Sequence, residues 1–150
     1  MDLRPGDSRQ PRRGSSVTLV VDASVVVAAL IDNTQLGTWA EDVLRSQHLV
    51  APGLLPFEVT NVLRRLSAAG HLSSDVAALA HRDLLLMRLE LVEYEMLAGR
   101  VWELRDNLTS YDASYVALAE VLRVPLATLD VKLSKAPGTT CSFQLPPTFT

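Results

Sequence analysis

The stretch VTLVVDASVVVAAL, Val17 to Leu30, places two β-branched runs on either side of a single carboxylate, Asp22. The first run is closed off by Ser15-Ser16 on one side and Asp22 on the other, and reads as a buried strand over 17–21. The second, Ala23 to Ile31, reads as a short helix. An ionised carboxylate in such surroundings costs several kcal/mol unless it is paired, hydrogen-bonded or bound to metal. Asp22 therefore needs a structural or a chemical reason.

Outward from this stretch the pattern alternates. Leu36 to Gln47 has helical spacing, with Trp39, Val43 and Leu44 on one side. His48 to Pro52 is a short strand, and Pro56 opens a helix that runs to Ala69 and stops at Gly70. A helix follows from Ser73 to about Met87, then a strand over 89–94, then a helix over 96–107 with Val101 and Leu104 inward. Asp112 to Arg123 is an Ala-rich helix suited to a central position, 124–129 is a fourth strand, and 142–145 is a candidate edge strand. Strands alternating with helices predict an α/β fold, with a mostly parallel sheet of four or five strands between helical layers. Ligands in such folds bind beyond the carboxyl ends of the strands.

A length of 150 residues suits one domain with one core. The segment 1–16 carries four arginines against two aspartates and is rich in Pro, Gly and Ser, so it is expected to be a disordered basic tail ahead of a domain over 17–150. The net charge of −3 leaves about −5 on that domain, which excludes nucleic-acid binding by a global basic field. Any such substrate needs local cations. Arg64, Arg65, Lys132 and Lys135 are near Glu58 and Asp130 in sequence and are candidates for holding phosphates, with a solvated surface as the alternative. Cys141 is the only cysteine, so no intrachain disulfide is possible and a reducing compartment fits. No apolar run approaches the roughly 20 residues of a membrane helix. Asp22 leaves only about five apolar residues where a signal peptide needs roughly 7–15. A cytoplasmic location with no membrane association is the expectation.

Four acids fall where strands end. Asp22 follows the first strand and Asp130 the fourth; Glu58 is in the first turn after the second strand, and Asp112 starts the central helix. Each has an ordinary explanation as a helix cap or as a charge that complements the helix dipole. Together, four acids brought to one sheet edge repel each other by roughly 4 kcal/mol per pair at 4 Å and an effective dielectric of 20. A divalent cation resolves the conflict. An all-oxygen donor set, with the Ser24 and Thr128 hydroxyls in support, suits Mg²⁺ or Mn²⁺. The three histidines have no ligand spacing for zinc. Metal-assisted phosphodiester hydrolysis is the chemistry that follows. On the helix after Pro56, Val59, Val62, Leu63 and Leu66 form an apolar stripe edged by Glu58, Asn61 and Arg65. Asn61 is a candidate hydrogen-bonding partner for a carboxylate or a phosphate, or an ordinary surface residue. Tyr111 and Tyr115 flank Asp112 and either stack on a base or pack in the core. The faces carrying Trp39, Val43, Leu44 and Val59, Leu63, Leu66 serve either as core or as a groove for an amphipathic partner helix.

Three segments, VVDASVVVAAL (20–30), PFEVTNVLRR (56–65) and YDASYVALAEVLRVPLATLDVKL (111–133), resemble the PIN-domain nucleases, and most closely the VapC-type toxins of bacterial toxin–antitoxin pairs. The similarity runs from about Val17 to Leu145. It implies a three-layer α/β/α domain in which Asp22, Glu58, Asp112 and Asp130 hold one or two Mg²⁺ or Mn²⁺ ions, with Ser24 and Thr128 supporting them. It further implies an endoribonuclease that leaves a 5′-phosphate and a 3′-hydroxyl, a homodimer, and a small antitoxin whose C-terminal segment blocks the cleft. Two alternatives stand beside it. One is a PIN-like binding module for RNA or protein without catalysis. The other is a phosphatase with a strand-end nucleophile, which would need a second acid where Ser24 stands.

Overall fold

The computed structural model describes residues 17–45 and 47–149. The expected basic tail, 1–16, lies outside them. Among the described residues, five strands form one all-parallel sheet in the order β3-β2-β1-β4-β5. They are β1 (Thr18–Val21), β2 (His48–Pro52), β3 (Leu89–Val92), β4 (Leu126–Ala127) and β5 (Phe143–Gln144). The helices between them are α1 (Ala23–Ile31), α2 (Gln35–Leu44), α3 (Leu55–Ala68), α4 (Ser74–Leu86), α5 (Ala98–Glu103), α6 (Ser110–Leu122) and the single-turn α7 (Val131–Ser134). α1 packs on α2, α3 and α4, while α6 lies over β1, β2 and β4 with α5 beside it. The result is the expected three-layer α/β/α arrangement.

The chain order explains where the site forms. From β1 the connections run outward through β2 to β3, then return to β4 on the other side of β1. The loops leaving β1 and β4 therefore diverge, and open a crevice at the carboxyl ends of these two strands. β1 is a continuous apolar run because a central parallel strand is covered on both faces, and Leu19, Val20 and Val21 are all buried. The second β-branched run, Val25 to Val27, is helical despite its modest helix propensity. Asp22 sets the boundary. It is the N-cap of α1 and accepts from the Ser24 and Val25 amides at 3.0 and 3.3 Å. α6 is apolar all round because it is central: every residue from Ala113 to Ala119 is buried.

Several boundaries differ from the sequence expectation. The second helix ends at Leu44, not Gln47, because Arg45 turns to extended backbone while its amide closes on Glu41 O and Asp42 O, which frees the chain to enter β2. The helix expected over 96–107 is a 3₁₀ turn at Tyr94–Met96 followed by α5, which ends at Glu103 and passes into further turns through Asn107. β3 stops at Val92, whose carbonyl accepts from Gly53 N at 3.0 Å. β4 keeps two ladder residues of the six expected, since Pro125 has no amide to donate. Gly37 is required by packing: a Cβ there would sit 1.8 Å from the Asp32 carbonyl oxygen at the end of α1. The apolar stripes weighed as partner grooves are largely core, with Val43, Val59 and Leu63 buried and Trp39, Leu44 and Leu66 partly so.

One ion-pair network fastens the C-terminal segment. Arg100 donates to Glu120 Oε2 at 2.6 Å, to Glu103 Oε2 at 3.0 Å and to the Gly138 carbonyl at 2.7 Å, and Glu120 Oε1 accepts from Thr140 N at 2.8 Å. Arg100→Ala is expected to lower unfolding free energy by about 1–3 kcal/mol in urea titrations, because it leaves a largely buried Glu120 without its cation.

Candidate active site

The crevice between the β1 and β4 ends is a cleft of about 610 Å³. Asp22, Glu58, Asp112 and Asp130 all line it, so four separate chain segments bring their carboxylates to one place. Ser24, Asn61, Arg65 and Tyr115 also line it, with Val27, Ala28, Ile31, Leu36 and Val62 as its apolar side.

Asp22 is the most constrained of the acids, at 8% exposure. Its Oδ1 accepts from the Ser24 hydroxyl as well as the two α1 amides, and its Oδ2 accepts from the Thr128 hydroxyl. Each hydroxyl is itself an acceptor. Ser24 Oγ takes the Leu129 amide at 3.1 Å, and Thr128 Oγ1 takes the Asp130 amide at 3.0 Å. These incoming amides oblige both hydroxyl protons to point at Asp22. The two hydroxyls thus tie the end of β1 to the loop after β4. Thr128 is fully buried, so Thr128→Val should cost about 1–3 kcal/mol in chemical unfolding, since it strips a bond from Asp22 and an acceptor from the Asp130 amide.

Glu58 sits on the first turn of α3, and its Oε1 accepts from Tyr115 Oη at 2.7 Å across the cleft. Burial holds Asp22, Glu58 and Asp112 above the ordinary carboxylate range. Glu58 is pushed further by the charges of Asp112 and Asp22, and Asp112 by that of Asp130. Burial, the bond to Glu58 and the neighbouring carboxylates keep the Tyr115 phenol protonated, so it serves as a donor. Asp130 caps α7 by accepting from Leu133 N at 3.1 Å. Capping and site roles coincide at Asp22 and Asp130, because a cap's side chain sits where a strand end meets a helix start.

Among the described residues, no three Asp, Glu, His or Cys side chains are gathered closely enough to grip an ion as they stand. Among the described residues, the acids share the lining with a single cation, Arg65. The histidines play no part: His48 pairs with Glu90 at 2.8 Å, and His71 and His81 are exposed.

The cleft at the switch point of the parallel sheet thus gathers one buried acid, Asp22, two half-buried ones, Glu58 and Asp112, and the exposed Asp130. The PIN domain family matches residues 19–138. The chain belongs to this family, in its VapC branch. It is 39% identical over 132 residues to ribonuclease VapC9 of Mycobacterium tuberculosis, covering 86% of this chain and 98% of that one. It is 39% identical over 127 residues to ribonuclease VapC1 of the same organism, covering 84% and 96%. Its fold matches a chain in the crystal structure of VapBC2 from Rickettsia felis bound to a DNA fragment from their promoter, with a TM-score of 0.62 at 13% identity, over 86% of this chain and 98% of that chain.

Within this PIN domain the other expected residues divide. Arg65 lines the cleft; Arg64 does not, and instead donates to Asn61 Oδ1 through Nε at 3.0 Å and Nη2 at 2.9 Å. Lys132 and Lys135 are exposed on and just after α7, outside the cleft lining. Sequence reasoning missed two groups. The first is the Tyr115 bond to Glu58; the available signal was that Tyr115 is three residues after Asp112 and shares its helix face. The second is Asp32, a fifth acid on the lining, whose hydrogen bonds from Thr34 hold it below the ordinary carboxylate range. Nothing in its local sequence separates it from a plain loop residue.

Proposed function

We propose that this chain is a metal-dependent endoribonuclease of the VapC toxin type, with Asp22, Glu58, Asp112 and Asp130 as its catalytic acids. The observation that carries this reading is the convergence of four carboxylates, three with raised proton affinity, on one cleft with a single lining cation. Such an arrangement is unfavourable for the chain alone and favourable around a hard dication. The donor set is carboxylate oxygen throughout, which fits Mg²⁺ or Mn²⁺ and not zinc. Asp22, Glu58, Asp112 and Asp130 would hold the ion, whose charge acidifies a bound water and neutralises a leaving oxygen.

The protein's own groups have distinct tasks. Ser24 and Thr128 fix the Asp22 carboxylate. Tyr115 occupies Glu58 Oε1, which leaves Oε2 as the oxygen that would hold the ion. Arg65 meets a phosphate on the lining. RNA is the substrate suggested by the ribonucleases that the chain resembles.

Two partners complete the reading. The apolar side of the cleft, Val27, Ile31, Leu36 and Val62, suits a segment of a VapB-like antitoxin that covers the acids. The exposed stripe Val76, Leu79 and Leu86 on α4 suits pairing of two copies. Among the described residues no helix is long and apolar enough to cross a membrane.

The test is cleavage of RNA by protein freed of antitoxin, with Mn²⁺ and then with EDTA. Metal-dependent cleavage is the expected result. Binding of RNA with no cleavage would identify a binding module instead, and a trapped phospho-aspartate would identify a phosphatase.

A further inference from the structure

A second, shallower cavity opens beside the acid cleft and shares Glu58 and Asn61 with it; Leu54, Phe57 and Tyr111 complete its lining. Its volume is about 540 Å³, within the range of pockets that hold small ligands. Phe57 is 79% exposed and Tyr111 is 62% exposed. Each precedes a site acid in sequence, Phe57 before Glu58 and Tyr111 before Asp112, and each is in the first turn of its helix. The two helix starts therefore present an acid to the cleft and an aromatic ring to the side cavity.

The polar lining is equally specific. Arg64 donates twice to Asn61 Oδ1, which fixes the amide so that its NH₂ group is left to donate. The cavity thus combines two aromatic faces with one free pair of N–H donors, next to the carboxylates. We infer that this cavity is a base-binding subsite, in which an unpaired nucleobase of the RNA strand stacks on Phe57 and Tyr111 while Asn61 donates to a carbonyl oxygen or ring nitrogen on its edge. This inference rests on the nuclease reading above and assigns a place to a nucleotide flanking the scissile phosphate. A nucleobase uses both features, because every base has a π-face and an acceptor edge. An apolar protein side chain would leave the Asn61 donors unpartnered. The shared Glu58 and Asn61 place the subsite beside the acid cleft, and single-stranded RNA is the form that fits, since a paired base cannot turn its face to the rings.

The experiment compares wild type, Phe57→Ala, Tyr111→Ala, Phe57→Trp and Tyr111→Phe in Mn²⁺. The substrates are a short single-stranded RNA with a mapped cleavage point and the same RNA with an abasic ribose on either side of that point. The alanine variants are expected to raise KM for intact RNA by between about fivefold and a hundredfold, with kcat changing less. Wild type should discriminate against one of the abasic substrates by a similar factor, and the alanine variants should lose that discrimination. The Trp and Phe variants should keep it. Both rings are exposed, and circular dichroism of each variant confirms its fold. If wild type cleaves RNA and the alanine variants keep its KM and its preference for the intact base, the subsite is refuted. Unchanged RNA kinetics with weakened self-association or antitoxin binding would make the rings a protein contact and likewise refute it. Failure of wild type to cleave any RNA would instead overturn the nuclease reading.

Discussion

Asp22→Asn is expected to reduce the initial rate of Mn²⁺-dependent RNA cleavage about a thousandfold. Asp22 stands at the end of the central strand, and both of its oxygens are already oriented by the Ser24 and Thr128 hydroxyls. Loss of its charge removes a pre-set anchor for the cation, and about 4 kcal/mol of lost transition-state stabilisation corresponds to that factor. The fold should survive. An asparagine oxygen can still accept from the Ser24 and Val25 amides, while its NH₂ group meets a Thr128 oxygen that already takes the Asp130 amide. Relief of repulsion and loss of one hydroxyl bond oppose each other, so the metal-free melting temperature should stay within about 4 °C of wild type. Initial rates and thermal melts on the same preparation check both parts. Activity within tenfold of wild type would remove Asp22 from the catalytic set. Asp130→Asn is expected to be milder, because its Oδ1 already serves as the α7 cap and water can replace a fourth ligand.

The second large effect is a reversal of the pH dependence of stability by metal. Burial, together with like-charge neighbours at Glu58 and Asp112, raises the affinities of Asp22, Glu58 and Asp112 above their ordinary values of 3.8, 4.5 and 3.8. The folded state then holds more protons than the unfolded state in the window from those ordinary values up to the raised ones. Stability contributed by these groups is present below that window and falls as pH rises through it. Mn²⁺ binds the ionised form and acts in the opposite sense. At about a hundred times its dissociation constant it should add about 2.7 kcal/mol, or roughly 5–10 °C, at neutral pH, with less gain in acid where protons compete. Glu58→Gln and Asp112→Asn should raise the metal-free melting temperature at neutral pH, flatten the fall with pH, and erase most of the Mn²⁺ gain. Scanning fluorimetry across pH, with EDTA or MnCl₂, reads all three. A wild-type melt that Mn²⁺ leaves unchanged would overturn the metal centre.

The legible parts of the fold were those with a local cause. Val17 to Ile31 was read correctly as strand then helix, because a short β-branched run before an Asp cap leaves few alternatives. α6 was read as central from its apolar, Ala-rich composition, and it is. The misjudged boundaries were mostly those set by partners distant in sequence. The helix expected over 96–107 broke into a 3₁₀ turn and a short helix, whereas the shortening of β4 had a local cause in Pro125, which has no amide to donate. Asp22 and Asp130 each had an explanation as a cap, and both are caps. Local sequence does not show that these caps also line a cleft.

By itself the sequence determined the alternation of strands and helices, the position of Asp22, Glu58, Asp112 and Asp130 relative to the strand ends, and that these four side chains offer only oxygen donors. These follow from short-range rules: side-chain period, capping and ligand chemistry. Only the tertiary structure decided that β1 and β4 are neighbours with connections leaving in opposite directions, and so opened the crevice that the four acids share. It also decided that Tyr115 reaches Glu58, that Thr128 and Ser24 lock Asp22 to the next loop, and that Arg64 orients Asn61 while Arg65 faces the cleft. The longest of these ties joins residues more than a hundred positions apart. Their geometry is fixed by strand order and helix packing, which no local pattern encodes.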